Sequence, residues 1–266
     1  MPLPRVQLFE VEDQRWFPRV VRDFATDYLR FASERFALHA PIVPLLTAAL
    51  ARSRSTRIID LCSGGTGPVP ALVRALRAQG VGVEVVLTDL YPNRAAFAEV
   101  AADAARSGGS VTWMDEPVDA RAVPATLTGL RTIFNGFHHF RPDDAIEALR
   151  DAARCRQPIA IFEYPDRRLR LLPAFALLTP LAVLAVTPWI RPFRWERLLW
   201  TYLVPLVPLT CWWDGMVSTL RAYTPDELAA LAAATHAEDY AWQSGRVAVT
   251  SPPCRLTYLL GWPTSP

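Results

Sequence analysis

The run IIDLCSGGTGPVPAL, residues 58 to 72, carries the densest set of residues suited to holding a ligand. Asp60 ends an apolar stretch, and Cys62, Ser63, Gly64, Gly65 and Gly67 make a turn of small residues ahead of a helix. Small residues let a ligand approach the backbone closely, and a helix start offers N–H groups without intrahelical partners. Cys62 reads as a small apolar residue packed in that turn rather than as a nucleophile. About twenty residues further on, VEVVLTDL ends on Asp89 and Leu90, where a carboxylate can accept both hydroxyls of a ribose. The pattern is that of a nucleotide-like pocket, for a dinucleotide or for S-adenosylmethionine. A dinucleotide turn uses G-x-G-x-x-G, and here Gly65 and Gly67 are followed by Pro70 at the third position. Asp60 would also repel a pyrophosphate and suits a cofactor's amino group instead. Both features disfavour NAD.

These residues need strands that end on one edge of a sheet. Short β-branched runs alternate with Ala/Leu/Arg stretches, the rhythm of a parallel sheet. Strands are expected at 57–61, 83–88, 110–114, 131–135 and 159–164, with helices at 69–79, 93–106 and 142–155 between them. Ahead of them, Trp16, Val20, Phe24, Tyr28, Phe31 and Phe36 recur with helical spacing, and Pro41 divides residues 14 to 54 into two helices. Near the end, Thr224, Pro225 and Glu227 form a capping-box signal for a helix over 225–234. Strands at 239–249 and 255–261 follow as an antiparallel pair. The fold class is therefore α/β, a doubly wound seven-stranded sheet with N-terminal helices and an apolar helical insertion after strand five. The expected divisions are an N-terminal helical cap (1–54), a cofactor-binding core (55–166), the insertion (167–222) and the last helix and strands (223–266).

The insertion breaks the rhythm. Residues 171 to 190 contain no charge and are flanked by Arg167, Arg168 and Arg170 on one side and by Arg191 and Arg194 on the other. Twenty uncharged residues match a bilayer in length. Pro173, Pro180 and Pro188 argue against a span, since each removes a helical hydrogen bond. The alternatives for 171–210 are a substrate lid, a homodimer face, peripheral membrane contact or a membrane hairpin.

Composition removes several classes. A net charge of +2 gives no concentrated basic face for nucleic acid. Every basic residue is arginine, which excludes Schiff-base chemistry and the phosphate-loop lysine. The four cysteines, Cys62, Cys155, Cys211 and Cys254, form no CxxC pair, so no metal site and no disulfide framework are expected. Residues 1–14 carry acids where a signal peptide has a basic start and an apolar run, which points to the cytoplasm, with membrane association left open through 171–210.

Taken together, the ordered motifs resemble those of class I S-adenosylmethionine-dependent methyltransferases over roughly residues 56 to 165. The family's first motif, acid-x-Gly-x-Gly-x-Gly, falls on Asp60 to Gly67, with Cys62 and Thr66 at two of the three glycine positions, Gly64 in register and Gly65 and Gly67 beside it. The resemblance implies that Asp89 binds ribose and that Asp119-Ala120, within DEPVDARAVP, lies at the adenine. The segment FNGFHHFRPDD resembles the family's fourth strand and its following loop. It implies cofactor contacts at Asn135 and Phe137 and places His138 and His139 at the mouth of the pocket. A histidine there suits proton removal from a phenol, hydroxyl or amine, and such a pair also serves merely to shape the pocket. Glu163 and Tyr164 end strand five on the same side. Trp16, Tyr28, Tyr164 and Trp213 are candidates for lining a chamber for a small or medium apolar acceptor. The expected activity is methyl transfer, with oxygen favoured as the acceptor atom. Its rivals are a non-methylating reaction such as cyclisation on the same fold, and a non-catalytic membrane-associated relative.

Overall fold

The computed structural model describes residues 3–168, 172–249 and 254–264; Arg170 and Leu171, at the edge of the apolar stretch, lie outside the described residues. In chain order the helices are α1 (Arg19–Arg35), α2 (Ile42–Ser53), α3 (Val69–Ala78), α4 (Arg94–Arg106), α5 (Pro142–Arg154), α6 (Leu172–Val186), α7 (Trp195–Leu198), α8 (Leu206–Arg221) and α9 (Pro225–Ala233). The strands are β1 (Arg57–Asp60), β2 (Glu84–Leu87), β3 (Ser110–Trp113), β4 (Leu130–Phe134), β5 (Ile159–Glu163), β6 (Tyr240–Val249) and β7 (Cys254–Pro263). The chain forms two compact units, an α/β unit of Phe36–Tyr164 with Thr224–Pro266 and a helical unit of Met1–Arg35 with Pro165–Tyr223.

In the α/β unit the seven strands lie in the order β3-β2-β1-β4-β5-β7-β6, with β1 to β5 parallel and β7 antiparallel to both neighbours. This is the doubly wound sheet the alternating pattern predicts. Runs such as IAIF, residues 159 to 162, are apolar throughout because the central parallel strands are covered on both faces. β1 pairs with β2 on one side and with β4 on the other, so the chain crosses over between β3 and β4 and opens a crevice at the carboxyl ends of β1 and β4. Gly129 allows β4 to start beside β1: at φ +141 its missing Cβ would lie 2.6 Å from the Arg57 carbonyl oxygen. Arg131, buried within β4, is tolerated because its Nη1 lies 2.8 Å from the equally buried Asp151 of α5. The capping box at Thr224 and Glu227 opens α9 as expected.

Two boundaries differ from the sequence reading. The cap drawn over 1–54 divides, because Ile42, Val43, Leu46 and Leu50 of α2 enter the core of the α/β unit alongside Ile58 and Val85. The insertion drawn over 167–222 does not stand alone, because it folds with the first 35 residues.

The helical unit is centred on Phe17, Val21, Phe24 and Ala25 from the N-terminal segment, packed with Val183, Val207 and Cys211. The extended N-terminal stretch is stitched to α8, where the Asp214 carboxylate accepts the N–H groups of Val11 (2.7 Å) and Glu12 (3.0 Å). Arg197 is buried, with Nη2 2.5 Å from Asp27 Oδ2 and Nη1 donating to the carbonyls of Ile190 and Pro192. Leu172–Trp189 is long and apolar enough to cross a membrane by length and composition, and it forms α6 followed by a 3₁₀ turn.

Candidate functional site

The turn after β1 is built around Asp60. Its buried carboxylate accepts Ser63 Oγ–H on Oδ2 and Thr132 Oγ1–H on Oδ1, each at 2.7 Å. Its carbonyl accepts both the N–H (2.8 Å) and the hydroxyl (2.9 Å) of Thr88. Three strands, β1, β2 and β4, are thereby tied at one point. Burial pushes the Asp60 carboxyl up to about 7, against the pull of the two hydroxyls, with the Asp89 charge adding to the rise. The side chain expected at the cofactor's amino group thus has both oxygens engaged by the protein itself.

The expected glycine positions of the motif keep the backbone shape without the residue. Cys62 has φ +56 and Thr66 φ +76, both left-handed, and Gly64 and Gly67 are left-handed as well. A Cβ on Gly64 would meet nothing within 4 Å, so the backbone there is open to an approaching group. Gly64 N–H donates to Asp89 Oδ2 at 2.8 Å, and Tyr91 N–H donates to Oδ1 at the same distance. Asp89 therefore joins the turn after β1 to the turn after β2, with one lone pair on each oxygen left for a further donor. Leu90 beside it is exposed.

Asp119 lies after β3, and its carboxylate is gripped by the Arg121 guanidinium, with Oδ2 2.7 Å from Nη2 and Oδ1 3.0 Å from Nε. That hydrogen-bonded arginine holds the Asp119 carboxyl below its usual range. Ala120 is buried next to it. Burial raises the Cys62 thiol far above its ordinary value, and Asp89, Asp60, Asp119 and Glu163 raise it further. Cys62 therefore stays protonated there.

On the other side of the crevice, Asn135 adopts φ +50 and latches two strand ends: its N–H donates to the Phe162 carbonyl and its Oδ1 accepts Tyr164 N–H, both at 2.8 Å. The residues that follow, Phe137–His139, form a 3₁₀ turn. Glu163, buried at the end of β5, accepts the Phe137 N–H on Oε1 at 2.7 Å, and its Oε2 lies 2.6 Å from Nδ1 of buried His138. A carboxylate at Nδ1 favours the tautomer with its proton on that nitrogen. His139 is less buried and lies against it, ring centroids 4.4 Å apart. Glu163 thus fixes the turn after β4 through both of its oxygens.

The α/β unit brings together Asp60, Cys62, Ser63, Gly64, Gly65, Asp89, Leu90, Asp119, Ala120, Asn135, Phe137, His138 and His139 on the turns at the carboxyl ends of β1 to β4. Tyr164 belongs to the same unit, but its hydroxyl donates to the Leu38 carbonyl, which commits its polar end. Trp16, Tyr28 and Trp213 belong to the helical unit. There Trp16 is 70% exposed, Tyr28 packs against the core, its hydroxyl pushed up to about 12 by burial, and Trp213 Nε1–H donates to the Phe9 carbonyl at 3.0 Å.

Similarity to known proteins lies in the fold. No protein-family profile matches the chain, and no curated protein does. Among solved structures, an O-methyltransferase family protein from Burkholderia thailandensis superposes with a TM-score of 0.51 at 17% identity, over 92% of this chain. The chain has the class I methyltransferase fold. PigF with SAH (TM-score 0.49, 15% identity, 94% of this chain) and an O-methyltransferase of neocarzinostatin biosynthesis with SAM and 2-hydroxy-5-methyl naphthoic acid (0.47, 14%, 92%) are also similar. The chain spans 62% of the length of each of these three proteins. In this fold the turns just described occupy the sheet edge where ligands bind.

Proposed function

We propose that the protein transfers a methyl group from S-adenosylmethionine to a hydroxyl of a small or medium apolar acceptor. The observation that carries the reading is the buried His138–Glu163 pair, 2.6 Å apart, on the same sheet edge as the glycine turn and Asp89. The donor set suits this cofactor: an open backbone at Gly64 and a carboxylate at Asp89 with lone pairs for ribose hydroxyls. Asp89 would hold the ribose, Asp119 and Ala120 the adenine end, and Ser63, Gly64, Gly65, Leu90, Asn135 and Phe137 the walls. When bound, S-adenosylmethionine supplies an electrophilic methyl on a sulfonium. His138 Nε2 takes the proton of the acceptor hydroxyl, and Glu163 holds the ring in that tautomer and stabilises the imidazolium. His139 shapes the pocket beside it.

Isothermal titration with S-adenosylmethionine and S-adenosylhomocysteine tests the reading on folded protein. Binding of both is expected, and binding of neither removes the proposal. A reaction that turns over without releasing S-adenosylhomocysteine would replace methyl transfer with a cyclisation-type role.

A further inference from the structure

The outer side of α6 is apolar from end to end. The residues of this helix that face away from the protein, Ala174, Leu177, Leu178, Leu181 and Ala185, recur at three- and four-residue steps. Leu177 is 65% and Leu181 53% exposed. The inner side fills the unit's core through Val183. The segment that follows, from the end of the 3₁₀ turn to the start of α7, exposes Trp189 (65%), Phe193 (57%) and Trp195 (65%), interleaved with the exposed Arg191 and Arg194. The three rings alone leave roughly 300–450 Å² of aromatic surface uncovered, as much as the largest apolar patch on a typical monomer.

Charge decides what suits this face. Residues 172–195 contain no Asp or Glu, and the only acid up to residue 210 is the half-buried Glu196. A second copy meeting the same face across a two-fold axis would bring the arginines of both copies into one interface and no acid from residues 172–195 to pair with them. Tryptophan and arginine at the rim of an aliphatic stripe match the headgroup zone of a bilayer, where the rings sit at the interface and the guanidinium groups meet phosphates. A span does not fit. Pro180 lies inside α6, and the helix packs along α8 within its own unit, with the 3₁₀ turn and α7 following directly.

We propose that the α6 stripe and the Trp189–Trp195 segment form a peripheral docking face for an anionic lipid surface, with Arg191 and Arg194 as its headgroup contacts. The inference is independent of the methyl-transfer reading.

Flotation of the full chain with phosphatidylcholine vesicles, and with vesicles also containing phosphatidylglycerol, tests this at low and high salt. The wild type is expected to float with the anionic vesicles and to bind them less well at high salt. R191Q/R194Q should weaken that binding about 25-fold, fivefold per arginine. L177S/L181S, on the outer face only, should also release the protein, with folding checked by circular dichroism. Sedimentation equilibrium covers the second-copy case. The proposal is overturned if the wild type floats with neither vesicle, if it binds both equally at all salt concentrations, or if it is a dimer that L177S/L181S dissociates. Should either variant fail to fold, the wild-type dependence on lipid charge and salt still decides.

Discussion

One carboxylate, Glu163, holds both the ring and the backbone of the turn after β4: Oε2 lies 2.6 Å from His138 Nδ1 and Oε1 accepts the Phe137 N–H at 2.7 Å. Replacing it changes the histidine's tautomer without touching cofactor or acceptor. His138→Gln should lower kcat by about 10²–10⁴-fold, the range for loss of a general base. Glu163→Gln should lower kcat at least tenfold and shift the acidic limb of the pH–rate profile. The Kd for S-adenosylhomocysteine, measured by calorimetry, should stay close to wild type in both. A purely structural role for the pair would leave the pH profile in place.

Asp89 does two things at once, accepting Gly64 N–H and Tyr91 N–H, and it remains the ribose candidate. Asp89→Ala should weaken binding of S-adenosylmethionine and S-adenosylhomocysteine alike, by about ten- to a hundredfold, the worth of hydrogen bonds to a charged group. Asp89→Asn, which keeps one acceptor oxygen, should fall between. Titration calorimetry with both ligands reads the order of the three.

Stability should fall as pH rises through the neutral range. Burial, with the charges of Asp214 and Glu10 adding to it, pushes the Glu12 carboxyl from 4.5 to about 8. Between those values the folded protein binds more protons than the unfolded chain. The stabilisation is complete below about pH 4.5 and is lost as pH rises through 8. Glu12→Gln removes this slope, so relative to wild type it should gain on the order of 2–4 kcal/mol between pH 5 and pH 9. Urea unfolding at the two pH values measures it. Asp60, raised to about 7, contributes with the same sign.

Cys62 stands at φ +56 where the related motif has glycine. Cys62→Gly relieves roughly 1–2 kcal/mol of left-handed strain and gives up side-chain packing of similar size. Its unfolding free energy in urea should change by no more than about 1 kcal/mol. Cys62→Val, β-branched in the same conformation, should cost more than about 2 kcal/mol.

The sheet was legible because each strand carries its own signal. The run IAIFE is short, rich in β-branched and aromatic residues and bounded by prolines, and Thr224, Pro225 and Glu227 mark a helix start through contacts three residues apart. The turn at Asp60 was legible as a ligand site, but not as a knot. Thr132 is 72 residues away, and nothing in its neighbourhood announces a partner. Glu163 ends β5 and His138 lies 25 residues earlier in the 3₁₀ turn after β4, so their bond follows only once β4 and β5 lie side by side. The Arg121 grip on Asp119 is local and could have been read from the D-x-R spacing. Cys62 and Thr66 depart from glycine in residue type but not in backbone angle, and the angle is not readable from residue type alone. The apolar insertion was visible as a composition break, but its joining with the first 35 residues has no local signature.

That the helical unit is made from both Met1–Arg35 and Pro165–Tyr223 bears on how the chain is made. Phe17, Val21 and Phe24 leave the ribosome early, whereas Val207 and Cys211, which cover them, emerge nearly two hundred residues later. At about 5–20 residues per second the wait is about 10–40 s. During that time the first helix is an uncovered apolar surface of the kind that chaperones hold.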